Sequence, residues 1–340
     1  MKTNFNYNSA QLIGLDWGST GLRAFLLGAD AQILEARSDA LGASKMKSPA
    51  DYIQTLHTMV GDWMLERPDL RIVACGMVGS QHGWQEVPYA TCPSSQEQLA
   101  AQLMAVAGQP VHIVPGVLYS PEAAPPDVMR GEETQVAGAL HRCPDLTEQS
   151  FIVLPGTHSK WVDVQQGKVT RFATHMTGEL FAVLRHHSVL GRLIPQVTTN
   201  IQDSATNEID LPAFLKGVDV VRNAPVGGLT HQLFAVRTLG LTRQMAPESL
   251  ADYLSGMLIG HEIQSGLDWI KSARKSIDQL TLVGEQPLCD RYCHALQRFD
   301  QMNTRMLPNT APAGLWRLAM TAKLISTAHN QSKGHRNDLC

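Results

Sequence analysis

Apolar positions along the chain recur at two spacings, period two over short runs and period three to four over longer ones, which is the pattern of an α/β protein. Residues 12–15 are an apolar run that predicts a buried strand leading to Asp16. After the turn Gly18-Ser19-Thr20-Gly21, Leu22, Ala24 and Leu26 alternate with Arg23, Phe25 and Leu27, and residues 28–30 mark a second turn before a third strand over 32–36. This spacing predicts a three-strand meander. Ser48-Pro49 then opens a helix with Ile53, Leu56, Val60 and Trp63 on one face. A strand over 71–75 runs into the glycine-rich corner GMVGSQHGW at 76–84, followed by a helix around Leu99, Leu103 and Val106 and a strand over 111–114.

The pattern then starts again. FIVLPGTHSKWVDVQQGKVTRFATH at 151–175 is an apolar strand, a Gly-Thr turn, an alternating strand, a polar turn and a third strand. With Gly18-Ser19 laid over Gly156-Thr157, Asp16 falls on Leu154, so the carboxylate belongs to the first copy alone. Turns of small residues offer successive backbone N–H groups and a hydroxyl to phosphate oxygens, and two of them facing across a cleft would clasp a polyphosphate from both sides. Asp16 would then hold Mg²⁺, mainly through its water shell because that ion dehydrates reluctantly; otherwise it simply starts an Asx-type turn. The expected organisation is an N-terminal lobe over 1–145, a C-terminal lobe over 146–328 and a polar tail over 329–340.

Length and charge narrow the class. At 340 residues the chain fits two domains. A formal charge of −3 with no basic block excludes a nucleic-acid partner and gives an anionic membrane nothing to attract. No stretch approaches the ~20 apolar residues of a membrane span, and the N-terminal residues lack the apolar core of a signal peptide. Six scattered cysteines read as reduced thiols rather than a disulfide framework. A soluble cytoplasmic protein is expected, and a homo-oligomer is compatible with the sequence.

LDWGSTGLR in the first half and LPGTHSKWV in the second resemble the superfamily of sugar kinases, heat-shock ATPases and actin. More narrowly, GMVGSQHGW at 76–84, MRGEETQ at 129–135, LPGTHSKWV at 154–162, MTGELFAVLRHHSVLG at 176–191, RTLGL at 237–241 and YLSGMLIGHE at 253–262 resemble the 2-dehydro-3-deoxygalactonokinase family, over residues 11 to about 325. The resemblance implies a two-lobed ribonuclease H-like (actin-like ATPase) α/β fold. It also implies ATP-dependent phosphorylation of a small sugar acid, 2-dehydro-3-deoxy-D-galactonate, at its terminal hydroxyl with Mg²⁺.

Phosphoryl transfer of this kind needs positioning, charge neutralisation and a group that accepts the alcohol proton late, but no covalent nucleophile. Glu132 and Glu133, at the start of an expected helix whose positive end favours their ionised form, are the candidate bases. Related kinases resemble this place but carry Gly-Asp; Glu132 follows Gly131 directly, and the assignment between the two stays open. With Asp16 they form the catalytic set. The nucleotide set is Gly18, Ser19, Thr20 and Arg23 at the first turn, and Gly156, Thr157, His158 and Lys160 at the second. Gly284 joins it, in a strand-glycine-helix unit at 280–296 that resembles the superfamily's adenosine platform but has Glu285 in place of a second glycine.

The expected sugar-acid contacts are Gln81, His82 and Trp84, similar to a Gln-x-His-Gly stretch of related kinases, with Arg130, Lys160, Thr177 and Glu179. Lys160 can meet phosphate or the substrate carboxylate, and Arg130 or Arg185 can clamp that carboxylate bidentately. Thr177 is expected to cap a helix whose Leu180, Val183 and Leu184 face inward. Cys289, Cys293 and His294 have no second ligand pair at zinc spacing and read as helix packing. A chaperone-like ATPase would need an appended peptide-binding region. A kinase of another sugar acid, such as 2-dehydro-3-deoxygluconate, would share every phosphate-handling feature.

Overall fold

The computed structural model describes residues 7–195, 209–223, 227–273, 279–299 and 303–326. Two compact units divide the chain: one holds Met1–Ser150, Val162–Phe172 and Asn309–Cys340, the other Phe151–Trp161 and Ala173–Pro308.

The first sheet begins with β1 (Leu12–Trp17), β2 (Leu22–Leu27) and β3 (Ile33–Asp39), the meander expected from the alternation. Helix α1 (Pro49–Glu66) follows, then β4 (Arg71–Gly76) and β5 (Val111–Ile113). Their order in the sheet is β3-β2-β1-β4-β5, with the two-residue strand Met104–Ala105 beyond β5. β1 pairs antiparallel with β2 and parallel with β4, so it is central, and five of its six residues are fully buried. Asp16 is the exception, which places a carboxylate at the carboxyl end of the inner strand. Helix α1 starts as its sequence dictates: Ser48 is the N-cap, Asp51 closes a capping box and Pro49 takes the first turn. Tyr52, Leu56, Val60 and Trp63 go into the core with Ile13, Leu15 and Trp17. The helix expected around Leu99, Leu103 and Val106 is only Gln96–Ala101.

After a small three-stranded sheet of Ala90–Thr91, Val117–Tyr119 and Asp127–Met129, helix α2 (Glu132–Arg142) leads to the second large sheet, with β6 (Gln149–Leu154), β7 (Ser159–Gln165) and β8 (Lys168–His175). Then come α3 (Thr177–His187), α4 (Leu211–Asn223), α5 (Leu250–Ser272), β9 (Leu280–Val283), α6 (Gln286–Leu296), β10 (Thr304–Leu307) and α7 (Ala311–Thr321). The second sheet is ordered β10-β9-β6-β7-β8, with Ser94–Ser95 beyond β8. Numbered along the chain, both sheets therefore read 3-2-1-4-5, and the repeat seen in the sequence is a repeat of topology.

Two packing arrangements fix the glutamate-bearing helix. Gly138 and Gly314 let α2 and α7 approach so closely that a β-carbon on either would fall within 2.0 Å of a carbonyl oxygen of the other segment. Thr310 adds a hydrogen bond from its hydroxyl to Gln135 O at 2.6 Å.

Candidate active site

The first turn is tied down through its carbonyls. Gly18 O accepts from Ala43 N at 2.9 Å, and Ser19 O accepts from Ser44 N at 3.0 Å and from Ser44 Oγ at 2.6 Å. The hydroxyl-bearing residues Ser19 and Thr20 stay exposed at the tip. Asp16, Gly18, Thr20, Arg23, Ser38 and Asp39 contribute to a polar cavity of about 460 Å³ beside it. Arg23, placed opposite Asp16 by the β1–β2 register, donates from Nη2 to Asp16 Oδ2 at 2.8 Å. Among the described residues no group of three His, Cys, Asp or Glu side chains can hold a metal. Two carboxylates at a polar cavity, Asp16 and Asp39, fit a hydrated Mg²⁺ that takes the rest of its shell from water and phosphate, not a protein-caged ion.

Glu132 and Glu133 have opposite surroundings. Gly131, at φ 108, precedes them, and a β-carbon there would sit 3.3 Å from Gly76 Cα; Gly76 is itself at φ 95 at the end of β4. Two adjoining glycines in left-handed conformations thus let the α2 N-terminus rest on the end of the central strands. Glu132 is half-buried and accepts from Arg130 N at 3.0 Å. Glu133 is 1% exposed, accepting from Gly131 N at 2.6 Å and from Thr134 Oγ1 at 2.9 Å. Burial, and then the charge of Glu132, push the Glu133 carboxyl up to about 8. Between them and Asp16 lies Cys75, the parallel-strand partner of Asp16, whose thiol is pushed well up by burial and next by the charges of Asp16 and Glu133.

At the glycine-rich corner Gln81 and His82 are exposed. Trp84, expected against the sugar, belongs to the core instead: it is 8% exposed, stacked on Tyr52 at 5.7 Å and edge-on to Trp17 at 6.2 Å. Arg130 donates from Nη2 to Val87 O at 2.8 Å and lies over the Tyr89 ring, while its Nε and Nη1 have no hydrogen-bond partner. Both of these donor atoms are buried, where a polar group without a partner is costly.

The second turn lies in the other unit, where it walls a cavity of about 460 Å³. Pro155, Gly156 and Thr157 form one side; Thr177 and Phe181 from α3, Ser255, Leu258 and Ile259 from α5, and Glu285, Leu288 and Tyr292 from the β9–α6 unit form the others. A β-carbon on Gly156 would meet no atom within 4 Å, so the space over the turn is open. Gly284 lies behind it, its added β-carbon 3.7 Å from Pro155 O. The chamber is mostly apolar, ends at the small-residue turn and carries Glu285 and Arg291 on its wall.

Neighbouring residues differ from expectation. Thr177 is the first residue of α3, not its cap: Met176 precedes the helix and no side chain caps it, so Thr177 is buried on the cavity wall. Leu180 and Val183 are exposed, because Phe181 and Leu184 carry the face that packs on the helical cluster around Tyr253 and Met257. Glu179 pairs with His158, and its N–H donates to Thr157 O at 3.0 Å, fastening α3 to the turn. Lys160 is 4% exposed within β7. Arg185 is half-buried and lies near the Phe181 ring.

These features can be set beside known proteins. The model of the 2-keto-3-deoxy-galactonokinase family matches residues 16–318. The chain belongs to that family. It is 35% identical over 305 residues to the 2-dehydro-3-deoxygalactonokinase of Escherichia coli (strain K12), covering 89% of this chain and 95% of the relative. A crystal structure of a Sinorhizobium meliloti protein named for the same activity is 30% identical, with a TM-score of 0.76, covering 91% of this chain and 98% of that one. The activator of a 2-hydroxyisocaproyl-CoA dehydratase from Clostridium difficile, solved with bound ADPNP, is 14% identical over 97% of this chain and 99% of its own, with a TM-score of 0.50, and shares the fold alone. This family member is a carbohydrate kinase of mixed α/β, actin-like ATPase fold. No described helix is long and apolar enough to cross a membrane.

Proposed function

We propose that the chain transfers the γ-phosphoryl group of ATP to the 6-hydroxyl of 2-dehydro-3-deoxy-D-galactonate, as a step of galactonate catabolism in the cytoplasm. The observation that carries this reading is the family match over residues 16–318, which takes in both turns and the glutamate pair.

The cavity at Gly156–Thr157 takes the nucleoside against Leu288 and Tyr292, with the phosphates at the turn and Lys160 adding positive charge from β7. In its own unit the first turn, Gly18, Ser19 and Thr20, is the second candidate phosphate holder. Mg²⁺, when bound, neutralises phosphate charge as the phosphoryl group leaves. Asp16 would hold it through its water shell.

Glu132 accepts the proton of the 6-hydroxyl. It is the accessible member of the pair and sits at the positive end of α2. Glu133 holds the start of the helix by accepting from Gly131 N and so orients Glu132. Arg130, whose buried Nε and Nη1 lack partners, turns to meet the substrate carboxylate, and the exposed Gln81 and His82 meet its hydroxyls. An acidic substrate needs such a cation, because its carboxylate loses water on entering the site.

An assay of ATP consumption with 2-dehydro-3-deoxygalactonate, its gluco epimer and neutral hexoses tests the assignment. Fastest turnover on the galacto acid is expected. No turnover on either keto acid, or faster turnover on a neutral hexose, would reject it.

A further inference from the structure

A chain of buried hydrogen bonds runs from the second turn into the interior of its unit. Gly156 N donates to Ser159 Oγ at 3.3 Å; Ser159 Oγ lies 3.0 Å from Tyr292 Oη; Tyr292 Oη donates to Glu262 Oε2 at 2.6 Å. Trp161 Nε1 donates to the other carboxylate oxygen, Glu262 Oε1, at 2.9 Å. Ser159, Trp161, Glu262 and Tyr292 are each 2% exposed or less. Gly266 on α5 is what admits Trp161, since a β-carbon there would fall 2.5 Å from the indole.

The direction of every bond follows from the protons available. Both Glu262 oxygens accept, one from an indole N–H and one from a phenol O–H. The tyrosine has then spent its only proton, so at Ser159 it can only accept, and the serine hydroxyl must donate to it. Ser159 Oγ is left with lone pairs, one of which takes the Gly156 N–H. Burial, and then the neighbouring Glu262, push the Tyr292 phenol well above its ordinary range, so that the proton stays on. Bonds aligned this way reinforce one another. Tyr292 also lines the 460 Å³ cavity, so the same residue borders the chamber and is linked to the turn at its end.

We propose that Tyr292 is a positioning residue for phosphoryl transfer: acting through Ser159, and fixed at its far end by Glu262, its hydroxyl holds the Gly156–Thr157 turn in the orientation that receives the nucleotide phosphates. The inference rests on the reading of that turn as a phosphate holder. A turn free to rotate would still let the nucleoside bind but would misalign the transferring group, so the loss falls on kcat.

Steady-state kinetics of Ser159→Ala and Tyr292→Phe, with thermal melting of each, test this. Ser159→Ala leaves the Tyr292–Glu262–Trp161 bonds in place and breaks only the link to the turn, so it carries the test even if Tyr292→Phe fails to fold. The expected result is a fall of about 10-fold or more in kcat, KM for the sugar acid within about 2-fold, and recovery to within about 3-fold in Ser159→Thr, which restores the hydroxyl. Lower melting temperatures with unchanged kcat would overturn the proposal by showing a purely structural network. Gly156→Ala, whose β-carbon enters open space, separates the two readings. If it leaves kcat and KM for ATP unchanged, the phosphate reading falls and this inference with it. If it impairs either constant while Ser159→Ala does not lower kcat, the relay alone is refuted.

Discussion

Arg23 Nη2 lies 2.8 Å from Asp16 Oδ2, in direct register across the first hairpin. The pair holds the carboxylate in one orientation at the end of the central strand, with Oδ2 bonded to the guanidinium. Replacing Asp16 by Asn keeps the shape and removes the charge. Turnover is expected to fall by about 100-fold or more, with KM for the sugar acid within about 3-fold, because the nucleotide's ion loses its anchor while the acceptor site remains. Unchanged turnover at saturating Mg²⁺ would remove Asp16 from the metal site.

Glu132 and Glu133 are adjacent in sequence but should respond differently to the same substitution. Glu132→Gln deletes the proton acceptor and should lower kcat by about 100-fold or more. Glu133→Gln keeps an acceptor for Gly131 N and should cost less than about 10-fold. Steady-state kinetics of the two variants decide it, and equal mild effects would show that neither is the base.

The buried Glu133 also sets a pH dependence of stability. Its folded carboxyl is raised to about 8, from an ordinary value of 4.5. The folded state therefore binds this proton more tightly than the unfolded chain does. The resulting stabilisation is complete below about pH 4.5 and is lost as pH rises through about 8, a change on the order of 5 kcal/mol. Melting curves of wild type and Glu133→Gln between about pH 5 and pH 9 should converge or cross as pH rises, the variant having the flatter profile. Parallel profiles would contradict a raised carboxyl.

Gly42 supports the first turn from outside, since a β-carbon there would lie 2.2 Å from Ser19 O. Gly42→Ala should displace the turn and lower kcat/KM for ATP by about 10-fold, with a smaller change for the sugar acid. An equal loss for both substrates would place the turn's role elsewhere.

The strands and turns that carry the site were legible because each is local: an apolar run, a small-residue turn and an alternating strand are written within about 25 residues in each copy. The walls that complete the site were not. Ser159 and Tyr292 are 133 positions apart and Trp161 and Glu262 101 apart, and nothing in the spacing of a serine and a tyrosine announces that they share a proton. Trp84 looked like a sugar contact because it follows the Gln-His corner, yet Trp17 and Tyr52, from two other elements, draw it into the core. The difference between Glu132 and Glu133 is likewise one of burial, which the helix-start pattern treats alike. On α3 the structure places Leu184 on the inner face but not Leu180 and Val183, since the cluster that sets that face is built from α5 and the segments around it.

The most direct measurement is a crystal structure with a non-hydrolysable ATP analogue and Mg²⁺. The base should lie in the cavity between Ile259, Leu288 and Tyr292, with phosphate oxygens on Gly156 and Thr157 and a metal-bound water on Asp16. A nucleotide bound away from that cavity, or phosphates that touch neither turn, would contradict the account.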